Sequence, residues 1–162
     1  MIQVKDVVKS FDGNVVLNHV SANFEDGKVN MIIGQSGSGK TVLMKSMIGL
    51  HQIDGGEIIF DTSDGQQNLA GMTEKEVRML HREVGMLFQG AALFDSMTVQ
   101  ENVMYPLEMF SDMSRDEMVA RARFCLERVN MPERAFGLMP SEISGGMQKR
   151  VAIARAIALN PK

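Results

Sequence analysis

The sequence predicts an α/β fold, and three consecutive features between residues 29 and 50 carry that prediction. Residues 29–33 form a short apolar run suited to a buried strand. The glycine-rich stretch GQSGSGKT follows at residues 34–41, and residues 41–50 then place apolar side chains at helical spacing. A glycine loop that joins a buried strand to a helix is typical of a phosphate-binding site.

The segment before this loop predicts antiparallel strands. Residues 2–8 alternate apolar and polar side chains, residues 15–17 form a short β-prone patch, and residues 20–24 alternate again before a turn at residues 25–27. We therefore expect a small antiparallel sheet at the start of the chain.

The loop residues have the types that bind a triphosphate. Gly34 allows a sharp exit from the strand, while Gly37 and Gly39 can adopt positive φ and let the backbone approach a ligand. Lys40 is placed to reach the β and γ phosphates, and the hydroxyl of Thr41 can bind Mg²⁺. The stretch matches the pattern G-x-x-x-x-G-K-[ST] in full.

After the loop, the predicted elements alternate between strands and helices. An Asp-Gly-Gly turn at residues 54–56 precedes a strand at residues 57–60, and residues 61–68 predict a solvated loop. The apolar run at residues 84–88 predicts a second buried strand that ends at Gln89. Capping boxes mark three helix starts: Thr73 with Glu76, Thr98 with Glu101, and Ser114 with Glu117.

Two helices in the second half of the chain carry further information: the one that starts after Ser114 and one near the end of the sequence. The helix at residues 115–129 has one apolar face that includes Cys125, so this cysteine is expected in the core. Ser144 is a suitable N-cap for a helix at residues 146–159. The paired glycines after Ser144 leave first-turn amides bare, which suits a second phosphate, although an ordinary capped helix explains the segment equally well.

Composition limits the class of protein. The 162 residues suffice for one domain, and the net charge of −3 with interspersed acidic and basic residues gives no basic stripe for nucleic acid. No apolar run approaches the roughly 18 residues that span a bilayer. No signal peptide is visible, and a single cysteine fits a reducing compartment, so we expect a soluble cytosolic chain.

Four segments together resemble the ATP-binding subunits of ABC transporters. GQSGSGKT is similar to their Walker A loop, Gln89 in MLFQ to their Q-loop glutamine, and ISGGM at residues 143–147 to their LSGGQ signature. Phe11 stands where that family stacks an aromatic ring on adenine. The resemblance implies a P-loop NTPase of ABC type with an N-terminal antiparallel β subdomain, an incomplete RecA-like core and a helical subdomain. The β subdomain and Walker A core would cover about residues 1–89, the helical subdomain about 90–143, and the signature helix 144–162.

The resemblance also implies a role for each matching residue, with ATP and Mg²⁺ as cofactors. The nucleotide-binding residues would be Phe11, Gly34, Gln35, Ser36, Gly37, Ser38, Gly39, Lys40 and Thr41. Lys40 and Gln89 would be catalytic, and Thr41 and Gln89 would contact Mg²⁺. Ser144, Gly145, Gly146 and Met147 would meet the γ-phosphate of ATP bound to a second copy of the chain, although Met147 replaces the glutamine of the family signature.

The stretches MLFQGAALFDSMTVQENVMYPL and LMPSEISGGM resemble the ATPases of Mla-type phospholipid transport systems more narrowly. This resemblance implies an ATP-hydrolysing homodimer that drives phospholipid transport across the bacterial envelope. Its partners would be integral membrane permease subunits and lipid-binding envelope components, with no nucleic acid. It would lie at the cytoplasmic face of the inner membrane, held there through the permease.

Several alternatives stay open at this point. The chain ends before the position of the family's Walker B motif, so we expect these residues alone to bind nucleotide weakly and to hydrolyse it negligibly. An ABC ATPase for another solute and a non-hydrolysing nucleotide-binding fragment are the alternatives; a P-loop kinase or GTPase lacks the second glycine-rich helix start. Methionines cluster at residues 97, 104, 109 and 113. Such a cluster favours packing in the core, and contact with the permease is the less favoured alternative.

Overall fold

A computed structural model describes residues 1–62 and 65–161 of the chain. They divide into two units, Met1–Leu80 and His81–Lys162. The strands are β1 (Ile2–Phe11), β2 (Asn14–Phe24), β3 (Gly55–Thr62) and β4 (Gly65–Asn68), and the helices are α1 (Lys40–Met47), α2 (Glu74–Glu83), α3 (Val99–Phe110), α4 (Arg115–Arg128) and α5 (Gly145–Ala156). Short 3₁₀ turns cover Leu69–Gly71, Glu133–Ala135 and Pro140–Glu142.

The first unit is built on an antiparallel sheet in the order β2-β1-β3-β4. Residues 20–24 alternate in burial as the sequence predicts, whereas strict alternation over residues 2–8 is wrong. The buried residues of β1 are Val4 and Val7, three positions apart because the strand is bulged between them, and Ile58 of β3 is buried as well. The two patches at residues 15–17 and 20–24 belong to one strand, β2. His19, with a φ of 53°, lies where β2 is bulged opposite Val7 and Lys9, and β1 has its own bulge between Val4 and Val7.

The prediction of a solvated loop at residues 61–68 is wrong for the described part of that segment. β3 continues to Thr62, and β4 pairs with it so that Ile59 faces Asn68 and Phe60 faces Gln67. Polar residues form this hairpin because the backbone ladder, rather than side-chain burial, holds an edge strand. Ser63 and Asp64 lie outside the described residues.

The two predicted buried strands, at residues 29–33 and 84–88, are also wrong as strands in this structure. Neither segment forms a strand, and Val29, Met31 and Ile33 are 95%, 77% and 82% exposed. Within the described residues the sheet consists of the four strands named above. A strand requires a hydrogen-bonded neighbour, so an apolar run without one stays irregular.

The second unit has a helical core. α3, α4 and α5 pack through residues such as Val103, Leu107, Leu126 and Val151, each 0% exposed. Cys125 belongs to this core, as predicted. The guanidinium of Arg121 on α4 donates to the carbonyl oxygens of Ala158 at 2.8 Å and Ile157 at 3.0 Å, which caps the end of α5.

The three predicted capping boxes are present. Thr98 and Ser114 accept from the backbone N–H groups of Glu101 and Glu117, whose carboxylates bind back to the cap residues. Thr73 and Glu76 make the same reciprocal bonds before α2. Of the methionines, Met104 is 1% exposed and belongs to the core, so an interface role for it is wrong, whereas Met109 and Met113 are exposed.

None of the helices over residues 1–62 and 65–161 has the length and apolar character that crossing a membrane requires.

Candidate functional site

The glycine-rich loop at residues 34–41 turns sharply before α1. The N–H of Ser38 donates to the carbonyl oxygen of Gln35 at 3.3 Å, which closes a turn around Ser36 and Gly37. Gly37 and Gly39 have φ values of 81° and 87°, in the left-handed region that the sequence predicted for them. The loop is exposed apart from Gly39 and Lys40, so its backbone is open to a ligand.

Gly39 connects the loop to the sheet and starts the helix. A Cβ at this position would lie 3.0 Å from the carbonyl oxygen of Val16 and 3.1 Å from Leu17 Cδ2, both on β2. Gly39 is also the N-cap of α1, and no side chain caps the helix. The first turn of α1 carries no acidic residue, so its N–H groups and the positive end of its dipole are available to an anion.

The side chain of Lys40 folds back over the loop. Its ammonium nitrogen donates to the carbonyl oxygens of Gly34 at 2.8 Å and Gln35 at 2.6 Å. Phosphate oxygens are stronger acceptors for this group because they carry charge. Thr41 is the second residue of α1 and is exposed, so its hydroxyl stands beside the same helix end. The arrangement can hold a phosphate chain with an associated cation.

Phe11 lies at the end of β1 within a group that sequence reasoning did not find. The His51 ring meets it edge-on at 5.5 Å between centroids, and the ammonium of Lys9 lies 5.1 Å from its centroid. Lys9 is in turn held by Asp54 at 2.8 Å. That bond and the N–H of Ser10 lower the pKa of Asp54. Phe11 remains 38% exposed, which leaves ring surface for stacking.

The second predicted anion site, at Ser144, is the N-terminus of α5. The Ser144 hydroxyl accepts from the N–H of Met147 at 3.3 Å, and α5 starts at Gly145, one residue before the predicted start. Gly145 and Gly146 are exposed. Gln148, the residue after Met147, donates its side-chain amide to the carbonyl oxygen of Pro140 at 2.8 Å.

Gln89 is exposed and begins the turn that follows residues 84–88. Two alanines after it have left-handed backbones, and Arg155 on α5 binds both of their carbonyl oxygens. No sequence pattern indicated this contact, because Arg155 lies 63 and 64 residues after its two partners.

The predicted site residues fall into three places. Phe11 and the loop at residues 34–41 lie in the first unit, where both adjoin the β1–β2 hairpin. Gln89 and residues 144–147 lie in the second unit. There they are not brought together, because Gln89 is near the Arg155 end of α5 and Ser144 caps the other end, about 15 Å of helix away.

Comparison with known proteins relates most of the chain to one family. A family described as "ABC transporter" matches residues 17–162. The chain is 38% identical over 162 residues to the methionine import ATP-binding protein MetN of Clostridium acetobutylicum and 39% identical over 162 residues to the glutamine transport ATP-binding protein GlnQ of Escherichia coli. It is 36% identical over 161 residues to the E. coli intermembrane phospholipid transport system ATP-binding protein MlaF.

These relatives are longer than the chain. The matches cover 99–100% of the chain but 49% of MetN, 65% of GlnQ and 58% of MlaF. The fold is similar to the dimeric, post-hydrolysis state of the ATP-binding cassette MJ0796 bound to ADP and Pi, with a TM-score of 0.89 and 33% identity over 99% of this chain and 71% of that one.

Proposed function

This chain belongs to the ABC transporter family as an ATP-binding domain, and we propose that it binds and hydrolyses ATP to drive phospholipid transport across a bacterial envelope. The observation that carries the ATP-binding part is the loop before α1. Gly39 enters the helix in a left-handed conformation, the helix has no side-chain cap, and Lys40 folds over the loop. Free amides, the positive end of a helix dipole and a lysine thus lie within one short loop, which is the combination that phosphate binding uses.

The residues have the following proposed roles. Lys40 moves from the carbonyl oxygens of Gly34 and Gln35 to the β and γ phosphates, and the amides of residues 34–41 hold those phosphates from the other side. Phe11 stacks on the adenine through its exposed surface. Gln89 acts at the γ-phosphate end, in the role the family gives its Q-loop glutamine.

The Thr41 hydroxyl fits Mg²⁺, because it is an exposed oxygen at the N-terminus of α1. Gln89 belongs to the second unit and is proposed as a ligand through its similarity to the family's Q-loop glutamine. These are hard oxygen ligands, and Mg²⁺ is held in such sites by one or two protein oxygens with phosphate and water. When bound, Mg²⁺ would neutralise charge that develops on the phosphate oxygens.

We propose that two copies of the chain share each ATP. Ser144, Gly145, Gly146 and Met147 of one copy would meet the γ-phosphate held by the loop of the other. The exposed glycines at the start of α5 support this role, and the similar MJ0796 cassette is dimeric with ADP and Pi bound. The proposal also includes the division of the chain, at about residues 89 and 143, into a β subdomain with the Walker A core, a helical subdomain and a signature helix.

The transported substrate is the finer part of the proposal. The segments at residues 86–107 and 138–147 favour phospholipid because they resemble Mla-type ATPases. MetN and GlnQ are as similar to the chain as MlaF is, so import of another solute, such as an amino acid, fits the comparisons equally well. In either case a membrane permease would hold the domain at the cytoplasmic face of the inner membrane.

The ATPase proposal is tested with the natural protein in which these residues occur. We expect ATP and Mg²⁺ to produce dimers, detected by light scattering, and phosphate release that Lys40→Ala abolishes. Ser144→Asp separates ATP binding from dimerisation. Aspartate is an equally good N-cap, so α5 stays capped, but its carboxylate repels the γ-phosphate of ATP bound to the other copy. This variant should bind ATP as a monomer.

Ser114→Asp, at the N-cap of α4, is the matched control and should leave dimerisation unchanged. ATP-dependent dimers of Ser144→Asp at the wild-type ATP concentration would contradict the shared-nucleotide arrangement.

The substrate is tested on the complex isolated from native membranes through the tagged protein. ATP-dependent transfer of fluorescent phospholipid between vesicles supports the proposal. Uptake of labelled methionine or glutamine into vesicles without lipid transfer contradicts it.

A further inference from the structure

The turn after Gln89 has a backbone that alanine rarely adopts. Ala91 and Ala92 have φ values of 62° and 48°, two consecutive residues in the left-handed region. Left-handed alanines are unfavourable because Cβ approaches the carbonyl oxygen, and non-glycine residues visit this region mostly as single residues. Such a turn persists only where its surroundings hold it.

Arg155 supplies that hold. Its two terminal guanidinium nitrogens donate to the carbonyl oxygens of Ala92 at 2.7 Å and Ala91 at 2.8 Å. In an extended chain successive peptide groups face opposite ways, whereas in a helical turn of either hand they face similar ways. A planar fork can therefore bind both carbonyls only when the two alanines are in a helical turn.

The position of the guanidinium is itself fixed. It lies 5.8 Å from the centroid of the Phe94 ring, and burial lowers the pKa of Arg155. A partly desolvated guanidinium has few water molecules to replace a lost partner, so the two carbonyl contacts matter more than they would at an exposed site.

The far end of the segment is held by a second buried side chain. Asn102 on α3 is 0% exposed, accepts from the N–H of Phe94 at 2.8 Å, and donates to the carbonyl oxygens of Phe94, Met97 and Thr98 at 3.0–3.1 Å. The chain from residue 91 to residue 98 thus has an anchor on α5 and an anchor on α3. Gln89 stands two residues before the first anchor.

We propose that Arg155 is a positioning residue that sets the direction of Gln89 by holding the left-handed turn at Ala91 and Ala92. Arg155 also joins the turn after Gln89 to α5, the helix that Ser144 caps. The Mg²⁺ contact of Gln89 belongs to the proposed function, on which this inference rests. Arg155 acts only through the turn.

The first experiment needs no nucleotide. Hydrogen–deuterium exchange of the natural protein is followed in peptides covering residues 88–96. Arg155→Ala should speed exchange there by about tenfold or more, since the turn loses two charged hydrogen bonds. Arg155→Lys should lie between the two, because a lysine is a single point donor without the fork. If Arg155→Ala does not fold, Arg155→Lys carries the test.

Arg150→Ala is the matched control. Arg150 lies on the same helix and also donates to a backbone carbonyl, that of Asn130 at 3.2 Å, but it is exposed. Its removal should leave exchange at residues 88–96 unchanged. Equal exchange there in wild type and in both Arg155 variants would overturn the proposal.

The second experiment measures the Mg²⁺ concentration that gives half-maximal ATP hydrolysis. Residues that orient a metal contact typically change metal affinity about 10–100-fold when mutated, so Arg155→Ala should raise this concentration at least about tenfold, and Arg150→Ala should not. If Arg155 acts through Gln89, Arg155→Ala should add little in a Gln89→Ala background.

If Arg155→Ala and Gln89→Ala each raise the required Mg²⁺ concentration and their effects multiply in the double variant, Arg155 does not act through Gln89. A wild-type protein without ATPase activity would instead refute the proposed function, and the exchange measurement would then decide the role of Arg155 by itself.

Discussion

Replacing Gly39 by alanine should destabilise the first unit clearly more than the same change at Gly37. The two glycines have nearly equal φ values, 87° and 81°, so the left-handed backbone costs each alanine about 1–2 kcal/mol. Their surroundings differ. A Cβ at Gly37 has no atom within 4 Å, whereas one at Gly39 would lie 3.0 Å from a backbone oxygen and 3.1–3.3 Å from side-chain carbons of β2.

The magnitude follows from that difference. Backbone atoms of a paired strand cannot shift cheaply, and forcing an extra methyl into a packed site costs about 1–3 kcal/mol. We therefore expect a loss of about 1–2 kcal/mol for Gly37→Ala and about 2–5 kcal/mol for Gly39→Ala. The pair separates the backbone cost from the packing cost within one loop.

The assay is urea denaturation without nucleotide. Far-ultraviolet circular dichroism monitors unfolding, because residues 1–162 contain no tryptophan whose fluorescence could report it. Exchange of amides in α1 and β2 assigns the loss to the first unit, since a protein of two units need not unfold in one step. Equal losses for the two variants would refute the packing argument. A Gly37→Ala variant as stable as wild type would refute the backbone argument.

Two further predictions concern titratable groups. Hydrogen bonds from the backbone N–H and the hydroxyl of Thr98 lower the pKa of Glu101 in the folded protein below its value in the unfolded chain. The ionised carboxylate therefore stabilises the fold at pH values above the unfolded pKa. This stabilisation is lost as the pH falls through the lower, folded pKa. Glu101→Gln should make the free energy of unfolding fall less steeply in that acidic window in denaturation series at stepped pH; an unchanged slope contradicts this. Cys125 is buried, and burial raises the pKa of its thiol, so iodoacetamide should label it only after denaturation. Mass spectrometry measures the labelling. Labelling of the native protein would contradict this expectation and show that the core opens around Cys125.

Local patterns could be predicted from the sequence because the interacting groups are close along the chain. Thr98 and Glu101 satisfy each other within one helical turn, and Gly37 and Gly39 need only their own backbone angles. The strand at residues 29–33 could not be judged in the same way. Its apolar residues indicate burial, but a strand depends on a neighbour whose identity those residues do not specify.

The contacts around the site residues were beyond sequence reasoning for a related reason. His51 meets Phe11 across forty residues of chain, and Arg155 reaches a turn more than sixty residues earlier. A histidine or an arginine has no local pattern that names its partner. The residues expected to touch a ligand could be proposed from motifs, while the residues that hold them had to be seen in the fold.

The two helix N-termini that we propose to bind phosphate differ in their capping, and the difference bears on the proposed role of Ser144. α1 begins without a side-chain cap, so its first-turn amides are free. At α5 the Ser144 oxygen already accepts from the N–H of Met147, yet a hydroxyl can accept and donate at once. Its hydrogen therefore remains for a phosphate oxygen. A serine at this position can cap the helix and bind an anion together, whereas an aspartate can only cap it.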